Sequence, residues 1–482
     1  MASSAAVNGL AAEDRALVVD LDGTLLKSDL LVESFFSLLA SRPLGALASL
    51  AALRRGKAAF KARLAEQVTL QIGNLPWRGD LLAYLQAERA RGRRIYLASA
   101  SDRRLVDAVA AELGMFDGVF ASDGAANLRG AAKAAALVQA FGAGGFDYVG
   151  NEAVDFAVWE QAGGILVAGA APALQQAVQA RWPEARVFPL RPAGLRDYVR
   201  QLRVHQWLKN LLLLLPAIAA HRFDLATLAL CLTGLLSFSL CASGVYVLND
   251  LVDLERDRRH PTKRDRPFAA GTIPIFHGLL MVPVLVLAAL LLALLLPPLF
   301  IAVLGGYFVL TMGYSLWLKR QMMLDVVALA CLYGIRLLAG GAASGVELSA
   351  WLAALSLFLF CSLALTKRCT ELTDRIARGA GNPIGRDYVL GDLPILQILA
   401  GVSGFTAILV LALYVNSDTV RALYRRPEGL WALCVIMIYW VGRVQILAHR
   451  GQMHDDPVVF AATDRISLIC AGLAVIVLLA SL

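Results

Sequence analysis

From about Leu208 onward the chain is a succession of long apolar runs separated by short charged loops, and this alternation limits its fold more than any other feature. The runs lie near Leu208–Ala220, Leu225–Leu248, Ile275–Leu296, Leu299–Leu318, Met323–Gly341, Ala350–Leu365, Leu393–Val415, Leu430–Leu447 and Ile466–Leu482. A helix needs about 20 apolar residues to cross a bilayer. The pattern therefore predicts an all-α polytopic membrane domain of about nine transmembrane helices, the first run being short enough to lie at the interface. Lys and Arg gather around Arg256–Arg266, Lys319–Arg320, Lys367–Arg386 and Arg443–Arg450, whereas Pro297–Pro298 and Gly345–Ser349 are nearly free of charge. Because cytoplasmic loops carry the positive excess, the basic loops and the start of the chain are expected inside. Nine crossings would leave the other end outside. The hydrophobic fraction of 58% over 482 residues and the formal charge of +8 fit such a protein, since basic loops meet anionic lipid head groups. No aromatic-plus-basic array of the single-strand-binding kind is present, which argues against nucleic acid.

Residues 1–190 read differently, mixing charge with apolar runs as a soluble α/β domain does. Buried strands are expected at Ala16–Leu21, Arg94–Ala98, Gly118–Ala121, Asp147–Gly150 and Ile165–Val167, with helical stretches between them, the pattern of a parallel sheet covered on both faces. Residues 30–75 read as a small helical cap, and Arg181–Arg196, with Pro183, Pro189 and Pro192, as the linker to a membrane domain over 191–482. The opening MASSAAVNGLAAEDRALVVDLDG lacks a basic start, an apolar core and a cleavage site. It does not read as a signal peptide, so the first domain is expected in the cytoplasm. The seven cysteines are scattered without metal-like spacing and behave as small hydrophobes.

The soluble region holds one set of residues suited to phosphoryl chemistry. Asp20-Leu-Asp22-Gly-Thr24 closes the first strand. Two carboxylates spaced i, i+2 at a strand end can share a pocket, one as nucleophile and Mg²⁺ ligand, the other as general acid and base. Ser99 can bind a phosphate oxygen or merely cap a helix. Lys133 can neutralise phosphoryl charge, and Asn151 with Asp155 can complete an oxygen shell for Mg²⁺. These four elements, in this order, resemble the haloacid-dehalogenase-like (HAD) phosphohydrolase superfamily over about residues 15–185. The resemblance implies a Rossmannoid α/β fold, Asp20 as nucleophile, Asp22 as acid/base, and metal held by Asp20, Asp22, Asn151 and Asp155. It departs at Asn151, where the fourth motif usually has an acid and the amide is a weaker ligand. A domain that only binds or scaffolds is the alternative.

A second set lies in VYVLNDLVDLERDRRHPTKRDRPFAAG, where Asn249, Asp250, Asp253 and Asp257 leave the end of an apolar run. Spacings of three and four put the carboxylates on one helical face. Like charges crowded at a membrane are costly unless a divalent cation neutralises them, so the cluster predicts a metal-bound diphosphate. Arg256, Lys263, Arg264 and Arg266 follow and can hold phosphate oxygens. Mg²⁺ and Mn²⁺ both suit such ligands.

This stretch resembles the NDxxDxxxD motif of the UbiA prenyltransferase superfamily, whose fold of nine membrane helices agrees with the runs counted above. Tyr314 and Lys319 resemble a later motif, with one extra residue between them. Members that act on aromatic acceptors carry a second motif, DxxxD. The matching segment here reads LTKRCTELTDRIARG, dominated by Lys367, Arg368 and Glu371. Arg386-Asp387-Tyr388 follows, with Arg443, Arg450, Asp455, Asp456 and Asp464 further on.

A basic segment in place of a second carboxylate site is similar to the decaprenylphosphoryl-5-phosphoribose synthase-like branch. That resemblance implies transfer of 5-phosphoribose from phosphoribosyl pyrophosphate (PRPP) to a polyprenyl (decaprenyl) phosphate, with Asp250, Asp253 and Asp257 on the metal-bound pyrophosphate. Tyr314, Lys319, Lys367, Arg368, Glu371 and Tyr388 then fall among the substrate-binding residues. A phosphatase on the same chain can remove the 5-phosphate, giving polyprenylphosphoryl ribose for cell-envelope glycan synthesis at a bacterial inner membrane. Two other readings stay open: prenyl transfer from a polyprenyl diphosphate to an aromatic acceptor, and a transporter or scaffold. Gly340 and Gly341 permit the close helix packing that a homo-oligomer uses.

Overall fold

A computed structural model describes residues 14–482 apart from 124–126, 261, 384, 419, 421–423 and 454–455. The stretch that bears on a signal peptide falls partly in residues 1–13, outside the described residues, as does Asp455. Contacts divide the chain into two units, Met1–Leu202 with Val247–Met281, and Arg203–Tyr246 with Val282–Leu482.

The first unit is built on six parallel strands: β1 Ala16–Asp20, β2 Ile95–Asp102, β3 Gly118–Ser122, β4 Phe146–Gly150, β5 Gly164–Ala168 and β6 Arg186–Phe188. Their order is β3-β2-β1-β4-β5-β6. β1 is central and buried throughout, as the unbroken run ALVVD requires of a strand covered on both faces. Alternate residues serve the two faces. Leu17 and Val19 join one apolar core with Leu97 and Val149, whereas Ala16 and Val18 join another with Ala98, Phe146 and Tyr148. The strand order reverses direction at β1. In open sheets the crevice at such a point, beyond the carboxyl ends of the strands, is where ligands bind.

Between β1 and β2 lies the expected helical cap, Leu30–Ser41, Pro43–Ser49 and Lys57–Gln67, closed by a small core of Leu38, Ala46, Phe60 and Leu64. One expectation is corrected: the segment Arg181–Arg196 is not all linker. Arg186–Phe188 pairs with β5 as a sixth strand, Leu166 opposite Arg186 and Ala168 opposite Phe188. Pro183 and Pro189 bracket it, and an edge strand is where proline can flank a ladder. The unit also contains the end of helix Leu225–Val252, the short helix Leu254–Arg259, and the turn Lys263–Asp265.

In the second unit the described helices are mostly long and apolar. Seven have the length and composition to cross a membrane, from Leu225–Val252 to Pro427–His449, and the pair Pro457–Thr463 and Arg465–Ser481, bent by 77°, makes an eighth if it is one span. The sequence runs suggest about nine, and the difference is the first. Val204–Leu214 is a 3-10 segment followed by the short helix Leu215–Ala219, not a crossing. It buries Lys209 and Asn210, and Pro216 interrupts it. Losing one crossing changes the parity on which the outside placement of the chain's end depends. Gly340 is buried against the backbone of Leu213, where a Cβ would collide with the Leu213 carbonyl, so its close approach is used inside the chain. A further difference concerns Lys367–Ala377, expected as a loop. Helix Ala350–Ala377 runs straight through it, because no Gly or Pro intervenes before Gly379.

Candidate functional site

Beyond the carboxyl ends of β1, β2 and β4, the residues Asp20, Asp22, Lys133 and Asp155 face a cavity of about 370 Å³, which cap residues Asp29, Leu31, Phe60 and Lys61 help to line. Gly23 turns the chain at φ +75°, and a Cβ there would collide with the Asn151 side chain. Only glycine lets the loop after β1 close against the loop after β4. Thr24 then lies with its Oγ1 3.0 Å from Asp20 Oδ2 and 3.0 Å from Asn151 Oδ1. Its single hydrogen cannot satisfy both acceptors, so two ligand oxygens converge on one hydroxyl proton. That is a chemistry an oxygen-seeking divalent cation fits.

Lys133, on helix Ala131–Phe141, donates to Asp20 Oδ1 at 2.7 Å and to the Tyr148 hydroxyl at 2.9 Å, and is only 4% exposed. Burial works against its charge, but Asp20 and Asp155 outweigh this and hold its pKa above the ordinary lysine value. It is placed to neutralise Asp20, as its expected role requires.

Asp22 is differently held. Its Oδ1 accepts from the Leu30 N–H at 2.8 Å, and its Oδ2 from Ser99 at 2.9 Å and Ser101 at 2.8 Å. Burial, reinforced by Asp29 and Asp20, pushes its carboxyl up to about 7 against the opposing bonds from Leu30 and Ser101. A carboxyl that keeps its proton near neutrality suits a general acid.

Three expected roles shift in consequence. Ser99 is fully buried and its hydroxyl serves Asp22, so it positions the acid rather than presenting an oxygen to phosphate. Asp155 accepts from the Tyr148 hydroxyl at 3.0 Å and from the N–H groups of Asn151 and Glu152, each at 3.0 Å, which satisfies its oxygens without a metal. The side-chain oxygens of Asp22 are likewise occupied. Asp20 Oδ2 and Asn151 Oδ1, which share the one Thr24 hydrogen, are two oxygens whose chemistry fits a cation. Sequence reasoning missed Thr24, Ser101 and Lys61; the i+4 spacing from Asp20 to Thr24 and the repeated serine of IYLASAS are the signals that could have found the first two.

The aspartate-rich segment belongs to the same unit. Asp250 and Asp257 are buried at 4% and 3% exposure and share Arg266, whose Nη1 lies 3.0 Å from Asp250 Oδ1 and 2.6 Å from Asp257 Oδ2. They belong to two helices that meet at Asp253, and Arg266 brings them together. Gln201 donates to the other Asp250 oxygen at 2.8 Å. Asp253 stands at the junction of the two helices, its Oδ1 3.6 Å from Arg256. Arg266 thus bridges carboxylates instead of standing ready for phosphate, while Lys263, Arg264 and Arg256 are exposed, and Asn249 is half-buried. Burial keeps the Asp257 carboxyl above its usual range even though Arg266 pulls the other way and Asp250 adds to the rise. Asp250, Asp253 and Asp257 offer carboxylate oxygens of the kind a divalent cation takes. Among the described residues, no three His, Cys, Asp or Glu side chains form a ready-made metal cage.

The second unit carries two buried ionic clusters of its own. Lys209 and Lys367 both reach Asp456 Oδ2, at 2.9 and 2.7 Å, while the Tyr333 hydroxyl donates to Asp456 Oδ1 at 3.0 Å. Arg336, only 4% exposed inside a span, donates to Asn210 Oδ1 at 2.9 Å. In the other cluster Asp325, fully buried, accepts from the Tyr388 hydroxyl at 2.7 Å and lies 3.2 Å from Arg368 Nε and 3.5 Å from Arg386 Nη1. Arg368 also pairs with Glu371, which meets Arg386 Nε at 3.0 Å. The expected set Lys367, Arg368, Glu371 and Tyr388 is thus split: the last three meet around Asp325, and Lys367 goes to Asp456. Arg368 Nη2 is a buried donor without a hydrogen-bond partner among the described residues. Tyr314 borders this cluster through Arg386, and Lys319 sits in the turn Leu318–Arg320. Lys209, Arg336 and Asp325 were not legible as site residues, lying singly in apolar runs.

Comparison with known proteins agrees with both family resemblances. Residues 211–463 match the UbiA prenyltransferase family, and residues 17–158 match haloacid dehalogenase-like hydrolase. The protein y4nM of Sinorhizobium fredii is 35% identical over 454 residues, 94% of this chain and 88% of that protein. Nodulation protein NoeC of Azorhizobium caulinodans is 36% identical over 58% of this chain and 91% of its own length. Decaprenyl-phosphate phosphoribosyltransferase of Mycobacterium tuberculosis is 36% identical over 187 residues, 38% of this chain and 62% of that protein. With these matches, its long apolar helices and its parallel-sheet domain, the chain is a multi-pass membrane enzyme that belongs to the UbiA prenyltransferase family and carries an N-terminal HAD-like domain.

Proposed function

We propose that the membrane domain, residues 191–482, transfers 5-phosphoribose from PRPP to a polyprenyl phosphate such as decaprenyl phosphate. The HAD-like domain, residues 1–190, then removes the 5-phosphate. The observation that carries the reading is the chemistry of the second unit's interior. Where an aromatic-acceptor enzyme has a second aspartate-rich motif, this chain buries Arg368 with a donor left over, and has two lysines sharing one aspartate. Such an interior suits two phosphate-bearing substrates better than one diphosphate and an aromatic ring. A relative named decaprenyl-phosphate phosphoribosyltransferase supports it.

In the transfer step an oxygen of the lipid phosphate bonds to ribose C1, the C1–O bond to pyrophosphate breaks, and pyrophosphate leaves. Asp250 and Asp257, with Asp253, would hold Mg²⁺, or Mn²⁺ in its place. When bound there it supplies positive charge to the leaving pyrophosphate. In the second step an Asp20 oxygen bonds to the 5-phosphate phosphorus. The bond from phosphorus to the ribose O5 breaks, and Asp22 gives its proton to that oxygen. Water then hydrolyses the aspartyl phosphate, releasing phosphate and returning the proton to Asp22. Lys133 holds Asp20 in line and offsets phosphoryl charge, Asp20 and Asn151 would hold the cation, and Lys61 stands at the cavity wall. The product, polyprenylphosphoryl ribose, is a lipid-linked sugar donor for envelope glycans. The reading places the protein in a bacterial inner membrane with the HAD-like domain in the cytoplasm, where PRPP is made.

The test is to incubate the purified full-length protein with Mg²⁺, decaprenyl phosphate and ribose-labelled PRPP and to follow label into lipid. Lipid label that depends on Asp250, and a 5-phosphate that persists only in the Asp20→Asn protein, is the expected result. No lipid label with active controls overturns it and turns attention to polyprenyl diphosphates with aromatic acceptors.

A further inference from the structure

Within the first unit, the cap helix Leu30–Ser41 is bonded to the helix Leu254–Arg259 that follows the aspartate-rich motif. Glu33 and Arg258 form a two-pronged ion pair, Arg258 Nη1 to Glu33 Oε2 at 2.8 Å and Nη2 to Glu33 Oε1 at 2.7 Å, with the side chains of Arg258 and Glu33 6% and 4% exposed. One turn along the cap helix, Ser37 reaches Glu255 Oε2 at 3.3 Å, and Arg258 Nε also donates to the Ala269 carbonyl at 3.1 Å. Gly271, at φ +66°, brings the following loop so close that a Cβ would stand 3.0 Å from the Lys27 Cβ.

Both ends of this ion pair abut the chemistry. Leu30, one turn before Glu33, is the residue whose N–H holds the Asp22 carboxyl, and Asp257, next to Arg258, shares Arg266 with Asp250. A buried ion pair contributes little stability over an apolar pair of the same volume. What its paired geometry supplies is a fixed orientation, since a guanidinium and a carboxylate joined by two parallel bonds resist rotation.

We infer that Glu33 and Arg258 are positioning residues that fix the phosphatase cap on the aspartate-rich segment, so that the lipid-linked 5-phosphate formed there is handed to Asp20 before it diffuses away. This rests on the two-step reaction proposed above. Neither residue touches substrate. Their effect is on the effective concentration of the intermediate at the second site.

The experiment uses the full-length protein in nanodiscs, with labelled PRPP, decaprenyl phosphate and Mg²⁺. It compares wild type with Glu33→Gln, Arg258→Gln and the exchanged pair Glu33→Arg with Arg258→Glu. The readout is the ratio of lipid-linked 5-phosphate to dephosphorylated lipid, with hydrolysis of p-nitrophenyl phosphate as a measure of the phosphatase site alone. The single variants are expected to raise the ratio about tenfold or more, on the scale that loss of effective concentration allows. Total lipid label and p-nitrophenyl phosphate hydrolysis should stay near wild type, and the exchanged pair should recover much of the lost coupling. An unchanged ratio, or a proportional fall in every activity with no recovery in the exchanged pair, overturns the inference while leaving the two-step reaction standing. If wild type labels no lipid at all, the two-step reaction falls and this inference with it. If Glu33→Gln also lowers p-nitrophenyl phosphate hydrolysis, the exchanged pair decides: recovery of the ratio upholds the inference, and its absence overturns it.

Discussion

Around Asp20 the carboxylates come from strand ends and the segments just after them, Lys133 comes from the start of helix Ala131–Phe141, and the sheet's topology brings them together. In the helical unit the buried charges sit singly on long apolar helices and find partners tens of residues away, as Asp325 finds Arg368 and Tyr388. The first arrangement concentrates reacting groups at one mouth. The second ties helices together inside an environment where an unpaired charge is expensive. The two regions should therefore answer differently to mutation: the sheet site by losing chemistry with its fold intact, the helical clusters by losing fold and chemistry together.

The largest expected effect tests whether the two chemistries separate. Asp20→Asn should lower hydrolysis of a phosphomonoester by at least about 10³-fold, as removal of an essential nucleophile does, and leave transfer of label into lipid near wild type. Asp250→Ala should do the reverse. Parallel kinetics on the two variants, with Mg²⁺ saturating, give the answer. Loss of both activities in either variant would mean that the chain has one reaction centre rather than two.

Stability is where the helical clusters should stand apart. Asp325→Ala takes the fully buried carboxylate from Arg368, Arg386 and the Tyr388 hydroxyl and leaves the two arginines only the more exposed Glu371, and breaking a buried pair from one side costs about 3–5 kcal/mol. A thermal-unfolding series in detergent should show a large drop for this variant and a small one for Asp20→Asn. If Asp325→Ala melts as wild type does but no longer transfers ribose, the cluster is part of the binding machinery and not a staple.

How legible each region was follows from the same contrast. DLDGT, the strand around Ser99, Lys133 and the GNEAVD turn are local patterns, and the sheet gathers them because parallel strands all end at one edge. The roles within the set were less legible. That Ser99 serves Asp22, and that Asp155 is taken up by Tyr148 and two backbone amides, depends on distances no spacing encodes. The strand Arg186–Phe188 was hidden by its prolines, and the first apolar run was overread because Lys209 and Asn210 at its start and Pro216 within it were passed over. In the spans, hydropathy gives the helices but is silent on which helix faces which, so Arg336 and Asp325 read as isolated charges. The aspartate-rich segment lies between these cases: its spacings of three and four read as one helical face, whereas Asp250 and Asp257 sit on two helices and are joined through Arg266.

A middle-sized effect is expected at Asn151. Its amide oxygen and Asp20 Oδ2 share the Thr24 hydroxyl, and a neutral ligand binds a divalent cation less tightly than a carboxylate. Asn151→Asp should lower the Mg²⁺ concentration for half-maximal phosphatase activity by about tenfold, the scale on which ligand-shell changes alter metal affinity. A titration that does not move would show that Asn151 is not near the cation. Asp20 would then be left as the main side-chain ligand.

The smallest effect belongs to the surface of the soluble domain, and it calibrates the others. Arg89 Nη1 meets both oxygens of Asp117, at 2.6 and 2.5 Å, but its side chain is 43% exposed. Exposed pairs contribute little, so Arg89→Ala should destabilise the domain at neutral pH far less than Asp325→Ala does. Its pH dependence has a definite sign. The bond from Arg89, and less strongly the Ile95 N–H, holds the Asp117 carboxyl below its ordinary value despite some burial. A group with a depressed folded pKa contributes its stability above the unfolded value, about 4, and loses it as the pH falls through the folded value. The difference between wild type and Arg89→Ala in chemical denaturation should therefore be present at pH 7 and shrink in acid. A difference that grew in acid instead would mean that Arg89 acts on the fold through its stem packing and not through the carboxylate.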